Sequence, residues 1–87
     1  MKNIEATGKF KVNDFRGLHA EPSIEIVKCA SNFKSEIYLL HQKQEVSAKS
    51  LLSILTLAAK KGALIGVKAF GEDAEEAVQS IVKLEGV

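Results

Sequence analysis

The stretch from Arg16 to Pro22 sets a histidine, His19, in a glycine-containing loop directly before a predicted helix. Pro22 fits the first turn of that helix, because proline lacks the N–H that a first-turn residue leaves unpaired. A helix N-terminus carries unpaired N–H groups and about half a positive charge, which attract phosphate and favour a neutral, nucleophilic imidazole. The position of His19 therefore indicates phosphoryl chemistry, although a histidine at a helix cap is more often merely structural.

Other reactive side chains are sparse. Two histidines, one cysteine and scattered carboxylates are too few and too widely spaced to predict a metal site or a nucleophilic triad. Cys29, the only cysteine, excludes an intrachain disulfide, and we expect it to be a small buried apolar residue in a reducing compartment. His41, near a predicted hairpin, is expected to be solvated. The sequence therefore predicts no metal and no cofactor.

Composition and charge restrict the class of protein. With 87 residues there is room for one core, so we expect a single domain over residues 1–87. Twelve Lys and Arg against eleven Asp and Glu give a net charge of +1, which does not favour binding to nucleic acid or to a membrane surface. Four Phe and one Tyr, mostly isolated at apolar positions, argue against an RNA-binding sandwich. No apolar run resembles a signal peptide or a membrane span, so we expect a cytoplasmic protein without membrane insertion.

The elements that must position His19 follow from the spacing of apolar residues. Strict alternation predicts a strand over residues 4–12, and apolar residues three and four apart predict a first helix that begins within residues 19–22. Alternation returns over residues 35–41 and 46–48, which predicts two strands joined as a hairpin by residues 42–44. The histidine loop is therefore expected to connect the first strand to the first helix.

The second half of the chain contains a helix, a strand and a helix. The apolar run 51–59 predicts a second helix with Ser50 as its N-cap and with cations and a glycine at 60–62 ending it. A fourth strand is predicted over residues 63–70, and a third helix from residue 74 to a point near Gly86. The order β-α-β-β-α-β-α predicts an α+β fold of two layers, with the helices packed on one side of a sheet that is at least partly antiparallel.

The second predicted helix is unusually rich in leucine. Its apolar residues cover more than one stripe, so either both of its sides are buried or some leucines face solvent as a contact patch. Ser50 has a simple structural interpretation as an N-cap worth about 1 kcal/mol.

Four short motifs in this order resemble the HPr family, the histidine phosphocarriers of the bacterial phosphoenolpyruvate-dependent sugar phosphotransferase system. The motifs are Gly17-Leu18-His19-Ala20-x-Pro22, Ser47-Ala48-Lys49-Ser50-Leu51-Leu52, Lys61-Gly62-Ala63 and Gly71-Glu72-Asp73-Ala74. The resemblance covers essentially the whole chain. It implies an open-faced sandwich with a four-stranded antiparallel sheet and three helices on one face, acting as a carrier with a phosphohistidine intermediate and not as a stand-alone enzyme.

The resemblance also implies roles for particular residues. His19 would receive a phosphoryl group from enzyme I and pass it to sugar-specific enzyme IIA-type acceptors. Ser50 matches the family's regulatory serine, which an HPr kinase/phosphorylase modifies in many bacteria. An apolar patch would dock the partners of a protein that we expect to be a monomer, and it consists of Ile24, Leu51, Leu52 and Leu55.

One residue departs from the family's pattern. Relay members usually carry arginine where this chain has Glu21. A carboxylate about 6 Å from a phosphate dianion costs about 1–6 kcal/mol, depending on the local dielectric, so phospho-His19 should be harder to form. Glu21 also stabilises the helix as a first-turn acid. Arg16 could partly replace the missing cation as a phosphate contact, or could turn toward Glu21. The alternative function is therefore a regulatory paralogue that acts through Ser50 with weak or no relay.

Overall fold

Four strands and three helices follow one another in the order that the sequence predicts. A computed structural model describes residues 4–87. Its elements are β1 (Glu5–Lys11), α1 (Ala20–Ala30), β2 (Glu36–His41), β3 (Gln44–Ser47), α2 (Leu51–Leu55), β4 (Leu64–Phe70) and α3 (Ala74–Val82).

The strands form one antiparallel sheet in the order β1-β4-β2-β3. β4 lies between β1 and β2, so that Phe70 is opposite Glu5 on one side and Glu36 on the other. α3 contacts β1, β4 and β2, α2 contacts β3, and α1 packs against the other two helices. The expected α+β sandwich of four antiparallel strands and three helices is therefore confirmed.

The core lies between the sheet and the helices, where the alternation along the strands places it. The buried strand residues that face inward are Phe10, Ile37, Leu39, Ile65, Val67 and Ala69. The buried helix residues are led by Ile26, Ala30, Ala74, Ala77, Val78 and Ile81. Because burying one Ile or Leu side chain contributes about 1.5–3 kcal/mol, these two faces hold the helices on the sheet.

The predicted second helix is wrong in its length. α2 contains only five residues, and Thr56 is its C-cap instead of an interior residue. The Thr56 hydroxyl donates to the Ser53 carbonyl (2.6 Å), and Ala58 has a left-handed φ of 51°, which an α-helix does not contain. Leu57 and Ala59 are still buried, but as loop residues. The predicted stop signals at residues 60–62 therefore lie in a connecting loop and not at a helix end.

Smaller corrections concern the hairpin and the element ends. The hairpin turn has two residues, Gln42 and Lys43, because Gln44 already pairs with His41 as the first residue of β3. Gln42 adopts the left-handed φ (57°) that the tightest hairpin turns require. β3 therefore begins earlier than predicted, and α3 ends at Val82, four residues before Gly86.

The loop between β1 and α1 is tied to the segment after α2. The Leu18 N–H donates to the Ala59 carbonyl (2.8 Å), and Gly17 beside it has a φ of 81°. A Cβ on Gly17 would meet the Ala59 carbonyl oxygen at 2.5 Å and the Lys60 Cα at 3.2 Å. Only glycine combines this backbone angle with this close approach.

We expect Gly17→Ala to destabilise the protein more than Gly62→Ala does. Gly62 is the matched control, because it also has a positive φ (90°), but a Cβ at this position would meet no atom within 4 Å. The control carries only the left-handed strain of about 1–2 kcal/mol, whereas Gly17→Ala must also displace the Ala59 carbonyl, at a further cost of about 1–3 kcal/mol. Urea unfolding of both variants measures the difference, and equal losses would contradict the close packing described above.

Candidate functional site

His19 is the N-cap residue of α1. Its backbone is extended (φ −83°, ψ −166°), and its carbonyl accepts the first helical hydrogen bond from Ser23 N–H (3.1 Å). The imidazole makes no capping bond. Within residues 4–87, the N–H groups of Ala20 and Glu21 have no hydrogen-bond partner, and Pro22 has no N–H. His19 therefore directly precedes two free amide donors at the positive end of a helix.

Buried contacts fix the backbone on both sides of His19. The fully buried Ser23 hydroxyl donates to the Leu18 carbonyl (3.3 Å), and Leu18 is itself buried. The His19 side chain remains 25% exposed. The imidazole is thus held at the surface by a rigid loop, where a large partner can reach it.

Sequence reasoning did not identify Asp14 as a site residue. Asp14 Oδ2 lies 3.1 Å from His19 Nε2, and the Asp14 side chain is only 16% exposed. The only sequence signal was an acidic residue five positions before the histidine in the same loop. This spacing predicts a contact only if the loop folds back on itself. The structure therefore adds a carboxylate to the site.

Asp14 also determines which histidine nitrogen carries a proton. The Arg16 backbone N–H donates to Asp14 Oδ1 (2.8 Å), and this bond, followed by the contact with His19, lowers the pKa of Asp14 to about 2. At neutral pH an ionised carboxylate can only accept, so Nε2 must be the donor. In the neutral ring the free lone pair is then on Nδ1.

Arg16 bridges two carboxylates. Its Nη2 lies 3.2 Å from Glu21 Oε1 and its Nε lies 3.4 Å from Asp14 Oδ1. These bonds, chiefly the one to Asp14, raise the pKa of Arg16. Of the two predicted orientations of Arg16, the structure shows the one toward Glu21. Glu21 itself is 77% exposed, so solvent screens much of its charge.

The apolar patch lies on α1 and α2, which contact each other. Leu52 is 76% exposed, Ile24 is exposed, and Leu51 and Leu55 are partly buried, whereas Ile54 on the opposite side of α2 is fully buried. Of the two interpretations of the leucine-rich helix, the structure thus shows one buried side and one open side.

Phe15 is a second residue that sequence reasoning missed. It is 78% exposed in the histidine loop, and the Arg16 guanidinium lies 5.5 Å from the centroid of its ring. Nothing in the local pattern distinguishes an exposed loop phenylalanine from a buried one, because its position depends on how the loop packs.

Ser50 has the capping geometry that its position predicts. Its Oγ accepts from the Ser53 N–H (3.3 Å) at the start of α2, and the side chain is partly buried. Ser50 therefore caps the helix that carries most of the apolar patch.

Among the described residues, neither of the remaining candidates, His41 and Cys29, is joined to His19 by a hydrogen bond or an ion pair. His41, which the sequence predicts to be solvated, is partly buried at the end of β2, directly before the hairpin turn. Cys29 is also only partly buried, on α1, and burial raises the pKa of its thiol. Within residues 4–87, no three His, Cys, Asp or Glu side chains are arranged to hold a metal ion.

The open face of the sheet carries two aromatic residues in contact, which sequence reasoning did not foresee. The Tyr38 and Phe70 rings pack edge to face with centroids 6.3 Å apart, and Lys68 Nζ lies 5.6 Å from the Phe70 centroid. The charges of this face are mixed, with Lys9, Lys11 and Lys68 beside Glu5, Glu36 and Glu45. This balance does not favour a polyanion.

None of the helices in the described part of the chain has the length and hydropathy needed to cross a bilayer.

Comparison with known proteins gives consistent results along nearly the whole chain. The family model described as "PTS HPr component phosphorylation site" matches residues 6–85. The phosphocarrier protein HPr of Buchnera aphidicola subsp. Schizaphis graminum is 41% identical over 76 residues, which are 87% of this chain and 89% of that protein.

Two solved structures are also similar. The phosphocarrier protein HPr of Bacillus anthracis str. Ames has a TM-score of 0.83 and 31% identity, covering 90% of this chain and 93% of that one. Crh, a catabolite repression protein of Bacillus subtilis crystallised as a domain-swapped dimer, has a TM-score of 0.69 and 32% identity, covering 87% of this chain and 91% of that one.

We expect the free energy of unfolding of Asp14→Asn to fall less steeply below pH 5 than that of the wild type. The folded-state pKa of Asp14 is about 2, below its usual 3.8, so its ionisation contributes stability that is complete above about pH 4 and is lost as the pH falls toward 2. The variant lacks this contribution, whereas Asp73, whose pKa is also lowered, by its bonds to Ser35 and Lys34, still titrates in both proteins. Urea midpoints measured between pH 5 and pH 2 test the prediction, and equal slopes would contradict it.

Proposed function

Because this chain belongs to the HPr family of phosphocarrier proteins, we propose that it accepts a phosphoryl group from enzyme I on His19 and passes it to sugar-specific acceptors. The observation that carries this proposal is the placement of a partly exposed imidazole on the N-cap residue of α1, free of capping bonds and directly before two residues with unpaired amides. A phosphoryl group on this ring would meet donors that are already oriented, so no reorganisation opposes its arrival.

The transfer uses the lone pair that Asp14 leaves on Nδ1. Nδ1 attacks phosphorus, the bond between phosphorus and the donor breaks, and its electron pair leaves with the donor. The free N–H groups of Ala20 and Glu21 are the available donors for the phosphoryl oxygens. Delivery to an acceptor is the same displacement with the imidazole as leaving group.

Glu21 sets the electrostatic cost of the phosphorylated state. It lies in the first turn of α1, two residues after His19, and its negative charge opposes an incoming dianion. Its exposure and its ion pair with Arg16 reduce this opposition. We therefore propose that the protein relays phosphate more slowly than it would with arginine at position 21, but that Glu21 does not abolish the relay.

The apolar patch and Phe15 supply the docking surface of the proposal. Leu52 (76% exposed) and Phe15 of the histidine loop (78% exposed) are the most exposed large apolar residues in the part of the chain that the structure describes. An exposed apolar surface of this kind is typical of protein–protein contact. Enzyme I and the enzyme IIA-type acceptors would use it in turn, with the protein acting as a monomer.

The similarity to Crh and the position of Ser50 support a second candidate function, regulation through phosphoserine. Ser50 is partly exposed and precedes Leu51 and Leu52 of the apolar patch directly. Phosphorylation would add a charge of about −1.5 to −2 at Ser50. Ser50 lies at the N-terminal end of α2, where the helix dipole tolerates negative charge. The expected result is altered docking with little change in fold.

The first prediction of the proposal is an acid-labile phosphate that depends on His19. We expect the wild type, incubated with enzyme I and labelled phosphoenolpyruvate, to take up label that acid releases, and His19→Ala to take up none. His41→Ala is the matched control and should be labelled like the wild type, because within residues 4–87 the side-chain hydrogen bond of the His19 ring is to Asp14 and not to His41. Equal uptake of label by His19→Ala and the wild type would refute the relay. If the wild type takes up only acid-stable label, and only from a serine kinase, the result would favour the regulatory function.

The second prediction concerns Glu21. We expect Glu21→Arg to increase the initial rate of phosphorylation about threefold to tenfold, because removing the carboxylate and adding a cation shifts the free energy by about 1 kcal/mol in a solvent-exposed setting.

Glu75→Arg is the control for this test. Glu75 is also an exposed first-turn glutamate, but α3 follows β4 at the Phe70 end of the sheet, whereas α1 begins at the Lys11 end. The control therefore makes the same change in net charge far from His19, and we expect it to leave the rate unchanged. A slower Glu21→Arg variant would show that the charge argument has the wrong sign.

A further inference from the structure

The contact between Asp14 and His19 indicates a role for Asp14 in addition to the phosphocarrier function proposed for His19. We propose that Asp14 is a positioning residue: it holds His19 in the tautomer protonated on Nε2 and balances the positive charge of the ring when Nδ1 takes up phosphate. The second part rests on the proposed function, whereas the first part is a property of the free protein.

The geometry of Asp14 gives its two oxygens different tasks. Oδ1 accepts from the Arg16 backbone N–H (2.8 Å) and from Arg16 Nε (3.4 Å). Oδ2 faces His19 Nε2 at 3.1 Å. An aspartate that accepts from the N–H two residues later forms a local turn with little freedom to rotate. The loop backbone therefore aims Oδ2 at the ring, in the way that a carboxylate orients a catalytic imidazole.

The charge balance of the transfer gives this arrangement its chemical value. When the Nδ1 lone pair forms the N–P bond, Nε2 keeps its proton and the ring becomes cationic. The Asp14 carboxylate, which remains ionised, lies in hydrogen-bond contact with that cation. Such a charge-assisted bond is stronger in the phosphorylated state than in the resting state, so Asp14 opposes the cost that Glu21 imposes.

The two tasks of Asp14 make Asp14→Asn an unusually sharp test. The Arg16 N–H needs an acceptor, so the single carbonyl oxygen of the asparagine should take the place of Oδ1. The asparagine NH₂ group then faces His19 Nε2 and can only donate. Nε2 must become the acceptor, which moves the ring proton to Nδ1 and leaves no lone pair there for phosphate.

The tautomer is measured directly in the free protein by ¹⁵N NMR of His19 at about pH 9, where an ordinary histidine is neutral. We expect the wild type to be protonated mainly on Nε2 and Asp14→Asn to be protonated mainly on Nδ1. Glu21→Gln is the matched control: it also removes one negative charge next to the loop but does not contact the ring, so its tautomer should equal that of the wild type.

Two results would overturn the positioning role. A wild-type ring protonated mainly on Nδ1 would do so without any variant, even if Asp14→Asn failed to fold. The same tautomer in the wild type and in folded Asp14→Asn would do so as well.

Phosphorylation by enzyme I tests the charge-balancing part. We expect Asp14→Asn to be phosphorylated about tenfold to a hundredfold more slowly, the value of one charge-assisted hydrogen bond, with its amide spectrum otherwise unchanged. An unchanged rate would overturn this part. If the wild type itself is not phosphorylated, the proposed function fails, while the tautomer measurement still decides what Asp14 does to the ring.

Discussion

The hydrogen bond from the Leu18 N–H to the Ala59 carbonyl joins the two halves of the functional surface. It ties the loop that carries His19 to the segment that follows α2, and it requires Gly17 beside it to approach without a side chain. α2 ends at Leu55, and the left-handed φ of Ala58 (51°) turns the chain that follows, in which the Ala59 carbonyl accepts from the histidine loop. This bond and the packing of α1 against α2 together bring the histidine loop next to the apolar patch.

The histidine site combines one cation and two carboxylates within a few residues of the ring. Arg16 lies between Asp14 and Glu21 and neutralises neither completely, so the ring has one carboxylate in contact and another close by. In the proposed relay the two acids would differ in effect, because Asp14 contacts Nε2, opposite the nitrogen proposed to take phosphate, whereas Glu21 lies in the first turn of α1, the helix end proposed to receive it. Glu21, which departs from the arginine expected from the family resemblance, is thus found in the same loop region as the Asp14 carboxylate that contacts the ring.

The strands, the order of elements and the placement of His19 could be predicted from sequence because they depend on local signals. Alternation identifies a strand such as β4, and Pro22 identifies the start of α1. The contact of Asp14 and the exposure of Phe15 could not be predicted, because each depends on how the loop folds back. The end of α2 could not be predicted because the apolar run continues past it, with Leu57 and Ala59 buried as loop residues. The family resemblance supplied the roles of Ser50 and the apolar patch, which periodicity alone left open.

The central position of β4 bears on how the molecule is made. β1 and β2 have no direct pairing with each other, since β4, the last strand to leave the ribosome, lies between them. Until residues 64–70 emerge, β1 has no strand neighbour, and the chain must close a contact of long sequence separation, which slows folding. During synthesis the nascent N-terminal half would therefore expose an unpaired strand edge, the kind of surface that chaperones cover.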